Sequence, residues 1–277
     1  MGMATDTLTP LEQTALLTVY ARALDSREPH PILGDRLADD VVGRLDYDFA
    51  GLGVQTSVVC QTALRAKMLD VRVREFVLRH PDAVVVDLGA GLDSAFYRVA
   101  PPPSVDWFSV DLPGVSALRD AVLPRDAHAH SVPVSLADRH WPDSIPGDRP
   151  AMLIADGLLA FLSEPVIVGL FRRITEHFGT GELAFNDYGG IGWVSRAAIK
   201  LYPQKMFKDV GGQWGYLGFK DAHHPETWNP AIRLVEESSL THEPEVDLFP
   251  TWLRIATRLA GMSKAGARHG RILRYAF

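Results

Sequence analysis

The chain has 277 residues, room for one large α/β domain or two smaller ones. Its 47% hydrophobic and 22% charged content is ordinary for a globular protein with a sizeable core. The formal charge of -6 argues against nucleic acid or an anionic membrane as principal partner, since neither tolerates a like-charged surface without a local basic patch.

In chain order, a helix is expected from Thr9-Pro10 to about Leu24, with Leu16, Tyr20 and Leu24 on one face. The joint Glu28-Pro29-His30-Pro31 leads to short helices around Leu37–Leu45. A longer helix from Val54 to Arg79 carries Leu64, Met68, Val71 and Leu78 on one stripe and is ended by His80-Pro81. Cys60, the sole cysteine, allows no intrachain disulfide and fits a reducing cytoplasm. Its neighbours Val58, Val59 and Leu64 make it a small buried hydrophobe. Beyond Pro81, strands at Ala83–Leu88, Asp106–Val110, His128–Val134, Ala151–Ala155 and Glu182–Asn186 alternate with helices near Leu92–Val99, Val115–Leu123 and Pro165–Phe178. Ser163 is placed to cap the last of these, and Gly179 and Gly181 close it. A helix from about Pro250 to Leu259 follows, and two late strands, near Arg233–Glu236 and Arg271–Phe277, add an antiparallel edge. No secretory leader and no bilayer-spanning stretch is expected, and the cytoplasm is the expected compartment.

The run Val84–Ser94 carries the chemistry. Three valines enter a turn built on Gly89 and Gly91, where the backbone can approach a ligand closely. Asp111 ends the next apolar run about 20 residues on, the distance at which a carboxylate grips a ribose diol. A dinucleotide site wants a third glycine where this chain has Ser94. Asp87 and Asp93 in the turn would repel a pyrophosphate but suit a sulfonium and an ammonium. The pattern favours S-adenosyl-L-methionine over a nicotinamide or flavin dinucleotide.

Several segments then agree with one family: Thr14–Leu17 with Tyr20–Leu24, Pro31–Asp35, Leu64–Asp70, Asp87–Ser94, Val110–Pro113 and Asp156–Leu162, in order over roughly the first 165 residues. They resemble the leucine carboxyl methyltransferase-like superfamily, and within it the bacterial polyketide O-methyltransferases of the tetracenomycin type. The resemblance implies an α/β fold of the class I methyltransferase kind: a Rossmann-like, doubly wound, mostly parallel sheet with an N-terminal helical cap. One domain, 1–277, is expected, with the cap over 1–80, the core over 81–277 and a substrate-side insertion at about 190–230. By the same resemblance Arg65 holds the cofactor's carboxylate, Gly89 and Gly91 form its turn, Asp111 with Leu112 meets its ribose, and Ser135, Leu136 and Asp156 complete the site. Ser135 stands where the family usually has aspartate, and Asp156 where it prefers glutamate.

Methyl transfer from a sulfonium is an in-line displacement, so the protein mainly aligns the reactants and excludes water. A carboxylate acceptor, with a pKa of about 4, needs no base; a phenol, at about 10, is helped by one. Candidates on the acceptor side are Arg22, expected to hold a substrate anion, with Tyr20 beside it and Tyr188 following Asn186 and Asp187. Arg196, Lys200 and the aromatics Trp193, Trp214, Tyr216 and Phe219 come after. His223-His224 reads as a solvated turn, and the alternation His128-x-His130 lacks a third ligand, so no metal is expected. The expected activity is O-methylation of a carboxylate or hydroxyl on a small natural product, an aromatic polyketide by the resemblance. The alternatives are carboxyl methylation of a protein C-terminus, or cofactor binding without catalysis.

Overall fold

The structure is a computed structural model describing residues 3–4, 9, 11–189 and 215–277. The N-terminal third is helical: α1 (Thr14–Ser26), α2 (Arg36–Arg44) and the 24-residue α3 (Thr56–Arg79). A two-residue strand β1 (Met3–Ala4) pairs in parallel with β2 (Leu45–Asp46). Helix α1 begins at Thr14 rather than at Thr9. Thr9 and Glu12 instead exchange backbone-to-side-chain hydrogen bonds, Thr9 N to Glu12 Oε2 at 2.8 Å and Glu12 N to Thr9 Oγ1 at 3.4 Å. This reciprocal pairing ties the chain just ahead of the helix.

The core then alternates: β3 (Val84–Leu88), α4 (Ala95–Val99), β4 (Asp106–Asp111), α5 (Pro113–Val122), β5 (Ala129–Pro133), β6 (Ala151–Ala155), α6 (Glu164–His177) and β7 (Gly181–Asp187). The chain closes with α7 (His224–Trp228), β8 (Arg233–Ser239), α8 (Thr251–Gly261), α9 (Lys264–Arg268) and β9 (Arg271–Ala276). Seven strands form one sheet in the order β5-β4-β3-β6-β7-β9-β8, parallel up to β7, with β9 antiparallel to both β7 and β8. This is the mostly parallel sheet with an antiparallel edge that the sequence implies.

Strands covered on both faces are mostly apolar, and β3 and β6 are buried at every position, with Asp87 the one polar residue between them. Val84, Val86 and Leu88 face α6 through Ile167, Leu170 and Phe171. Val85 points the other way, into a cluster with Leu64, Met68 and Phe76 of α3. The thiol of Cys60 is buried with that second cluster, and burial pushes it up to about 11. The chain leaves β3 outward to β4 and β5, then returns to β6 on the other side. The crevice at this switch point opens beyond the C-terminal ends of β3 and β6.

Helix α4 begins at Ala95, three residues later than the pattern suggests. Gly89 and Gly91 take positive φ (66° and 53°), and Asp93 N turns back to Ala90 O, so the chain cannot enter a helix before Ser94. Ser163 occupies the N-cap position of α6 as expected, though its hydroxyl makes no capping bond. No helix among the described residues is long and apolar enough to cross a membrane.

Candidate functional site

A cavity of about 570 Å³ lies over the switch point, within the usual size for a small-molecule site. Gly89 and Gly91 form one wall. A Cβ on Gly89 would come within 2.8 Å of Leu158 Cδ1, and one on Gly91 within 3.3 Å of Ala15 Cβ, so larger residues would fill the space that backbone and cap leave open. Asp111, at the end of β4, accepts from Gly91 N and Leu112 N, both at 2.7 Å. Through these bonds the carboxylate fixes the turn, and Asp111 itself lines the cavity. Ser135, Leu136, Asp156 and Tyr188 line it as well.

Arg65, on α3, faces this wall. Its Nε donates to Asp156 Oδ1 at 2.9 Å, joining the cap to the end of β6. Burial works against the charged guanidinium, but Asp156 and then Tyr188 outweigh it, so Arg65 stays a cation throughout the accessible range. All the expected cofactor-side residues therefore meet in one cavity.

The acceptor-side residues separate. Tyr188 lines the cavity; Tyr20 does not. Its ring lies 5.2 Å from that of Phe49, beneath the Arg27 guanidinium, as part of the packing between α1 and α2. Arg22 reaches the cavity wall but is tied to the turn. Its Nη2 donates to Leu92 O at 3.1 Å, and its Nε lies 3.3 Å from Asp35 and 3.7 Å from Asp93. Two carboxylates thus neutralise the cation expected to hold a substrate anion, and Arg22 acts first as a brace for the glycine turn. Asp187 is taken out of the cavity by Arg271, whose Nε donates to it at 2.8 Å, while Phe219 N and Gly189 N also donate to it. Tyr216 packs on Phe219 and Trp228 with ring centroids 5.0 and 5.9 Å away. Trp193, Arg196, Lys200 and Trp214 lie outside the described residues. His223 pairs with Glu226 at the surface, and His128 and His130 both lie against Asp106.

Residues with no role legible in the sequence join Arg22, Asp87 and Asp93 in a buried charge network under the turn. Arg98, on α4, grips Asp70 of α3 with two bonds (2.8 and 3.0 Å) and reaches Asp35 at 2.9 Å and Asp93 at 2.5 Å. Asp35 also accepts from Ser94 Oγ at 2.6 Å and caps α2 through Ala38 N. From α5, Arg119 donates to the carbonyls of Gly91 (3.1 Å) and Asp93 (2.6 Å). Asp35 and Asp70 stand in the resembling segments, but nothing local announces that Arg98 joins them.

Asp87, at the end of β3, completes this network with four carboxylates to three guanidinium groups. It is buried, and its Oδ2 has no hydrogen-bond partner although the residue lines the cavity. Burial, then the charges of Asp93 and Asp111, push it up to about 8, against the pull of Arg119. Burial would also raise Asp93, but Arg22 and Arg98 hold it well below the usual carboxylate range. Such an orphaned carboxylate oxygen beside an open glycine turn, with a guanidinium opposite, fits a ligand bearing both a cation and a carboxylate.

The family model for leucine carboxyl methyltransferase matches residues 15–175. The chain is 33% identical to the tetracenomycin polyketide synthesis O-methyltransferase TcmP of Streptomyces glaucescens, covering 98% of each protein. It is 28% identical to the S-adenosyl-L-methionine-dependent methyltransferase dpfgK of Gibberella zeae, over 86% of this chain and 85% of that one. Among solved structures, a methyltransferase from Thermobifida fusca superposes with a TM-score of 0.52 over 92% of this chain and 93% of that one; at 18% identity this likeness speaks to the fold. With more than half its length matched by the family model and a full-length relative, the chain belongs to the leucine carboxyl methyltransferase family.

Proposed function

We propose that this protein is an S-adenosyl-L-methionine-dependent O-methyltransferase acting on a small natural product, an aromatic polyketide carboxylate or hydroxyl. The observation that carries the reading is the single cavity in which Asp111 ties down the glycine turn and the Arg65–Asp156 pair stands opposite. The similarity to TcmP supports the polyketide class of acceptor.

When bound, the cofactor supplies an electrophilic methyl group on a sulfonium. Arg65 would hold its carboxylate, Asp111 its ribose, and Ser135 and Leu136 its adenine. The chain's own part is alignment and exclusion of water. Leu158, Phe161, Leu162 and Val166 add an apolar stretch to the lining, a suitable bed for a flat ring. Among the described residues lining the cavity none is a histidine, and Arg22 and Arg65 are each matched by carboxylates. A carboxylate acceptor would need only placing, whereas a phenol would need a base, for which the raised carboxyl of Asp87 lies in the same cavity.

Incubation with methyl-labelled S-adenosyl-L-methionine and a panel of aromatic polyketide acids and phenols tests this reading. Label should appear in an ester or ether of one panel member, and at saturating donor the rate on a carboxylate should stay flat from about pH 6 to 9. A rate rising steeply with pH would point to a phenol and a base, and label transfer to protein C-termini alone would overturn the small-molecule acceptor.

A second expectation concerns Asp87. Its carboxyl is raised in the folded protein, so between about pH 4 and about 8 the native state holds a proton that the unfolded chain has lost. Its cost to stability is absent at low pH and grows as pH rises through that window. Asp87→Asn should flatten the fall in melting temperature across it; a variant that tracks the wild type would show Asp87 ionised throughout. Because a cation beside Asp87 favours the charged form, the affinity for S-adenosyl-L-methionine should rise over the same window more than that for the uncharged-sulfur product, and Asp87→Asn should abolish the difference.

A further inference from the structure

Helix α8 is built inside out. Of its residues only Leu253 is buried, while Trp252, Ile255, Leu259 and the C-capping Met262 are 62%, 53%, 60% and 82% exposed. Met262 keeps helical dihedrals (φ -69°, ψ -17°), so all four share one stripe, spaced three, four and three residues apart. Among the described residues nothing covers it. This is the two-in-seven spacing of a helix-to-helix seam, narrower than the face that lies in a bilayer.

We infer that α8 pairs antiparallel with α8 of a second copy of this chain across a twofold axis. The spacing reads the same in both directions, so reversing the helix lays the stripe on itself: Trp252 opposite the other copy's Met262, and Ile255 opposite its Leu259. A thioether against an indole and two branched aliphatics are favourable partners. Arg258, at the edge of the seam, shares its rim with Arg258 of the other copy.

Charge agrees. Residues 251–270 contain Arg254, Arg258, Lys264 and Arg268 but no Asp or Glu, which would by itself invite an anionic surface. The two arginines flanking the stripe are already engaged, however. Arg258 pairs with Asp247 at 3.2 Å and donates to Thr241 O, and Arg254 donates to Asp247 O. Each copy therefore brings a matched Arg258–Asp247 pair to the rim rather than a bare cation. One helix seam is a small part of a standard interface, so the association should depend on concentration.

Sedimentation velocity of the full chain over micromolar concentrations tests this. The mass should climb from 30.5 kDa toward twice that value, and Leu259→Glu or Ile255→Glu should return it to the monomer. Both side chains are exposed and away from the cavity, so the thermal shift induced by S-adenosylhomocysteine should be retained. Mixing a Trp252→Cys chain with a Met262→Cys chain under mild oxidation should give the mixed disulfide in preference to either symmetric one. A wild type that stays monomeric, a dimer indifferent to Leu259→Glu, a dominant crosslink between two Trp252→Cys chains, or a monomer that co-sediments with phosphatidylglycerol vesicles would each overturn the proposal.

Discussion

Arg98→Ala should lower the unfolding free energy by about 3–5 kcal/mol, a large share of the roughly 5–15 kcal/mol available to a domain. The side chain is only 10% exposed and, among the described residues, is the one group bonded to Asp70, Asp35 and Asp93 together. Removing it leaves Asp70, 3% exposed, without its two-bond partner, and leaves Asp35 and Asp93 to share Arg22. Burial alone disfavours their charge; Asp93 and Asp70 in turn hold Arg98 firmly protonated, so the loss is mutual. In urea denaturation the midpoint should fall with little change in slope. Arg98→Lys keeps the charge but loses the two-pronged grip on Asp70, and should recover only part of the loss. A double-mutant cycle with Asp70→Ala should show the two changes costing less together than their sum. A loss below about 1 kcal/mol would mean that the network is solvated and contributes little.

The second large effect is expected at Arg65. Arg65→Ala should weaken binding of S-adenosylhomocysteine by about 1.5–3 kcal/mol, roughly 10- to 150-fold, the usual worth of a charge-assisted hydrogen bond. The loss should come from binding as well as folding, since Arg65 is also the partner of Asp156. The two are separable: melting without ligand reports the broken pair, and the ligand-induced shift reports the lost contact. Arg65→Lys should restore charge without the planar fork and bind at an intermediate level. Unchanged affinity in the alanine variant would remove Arg65 from the site.

Much of the fold is legible in the sequence because its signals are local. Ala151–Ala155 is a run of apolar residues too short for a helix and becomes β6 at those bounds. The glycine turn and Asp111 are legible for the same reason, since φ preference and a fixed spacing are written along the chain. The setting of Arg22 is not legible because its partners come from elsewhere: Asp35 from the start of α2, Leu92 and Asp93 from the turn. An arginine next to an expected pocket looks like an anion holder until the carboxylates around it are known. The setting of Tyr20 is more legible, because the stripe it shares with Leu16 and Leu24 already marks it as a packing aromatic. The network around Arg98 joins residues 28 and 63 positions apart, and no spacing rule connects them. The spacing of Trp252, Ile255 and Leu259 is written in the chain, but only the fold shows that this face of α8 points outward.

Calorimetric titration of the wild-type chain and of Asp111→Ala with S-adenosylhomocysteine and with NAD tests the assigned cofactor site most directly. S-adenosylhomocysteine should bind the wild type at a single site, Asp111→Ala should bind it far more weakly, and NAD should give no heat. Binding of NAD alone, or of S-adenosylhomocysteine equally to both proteins, would contradict it.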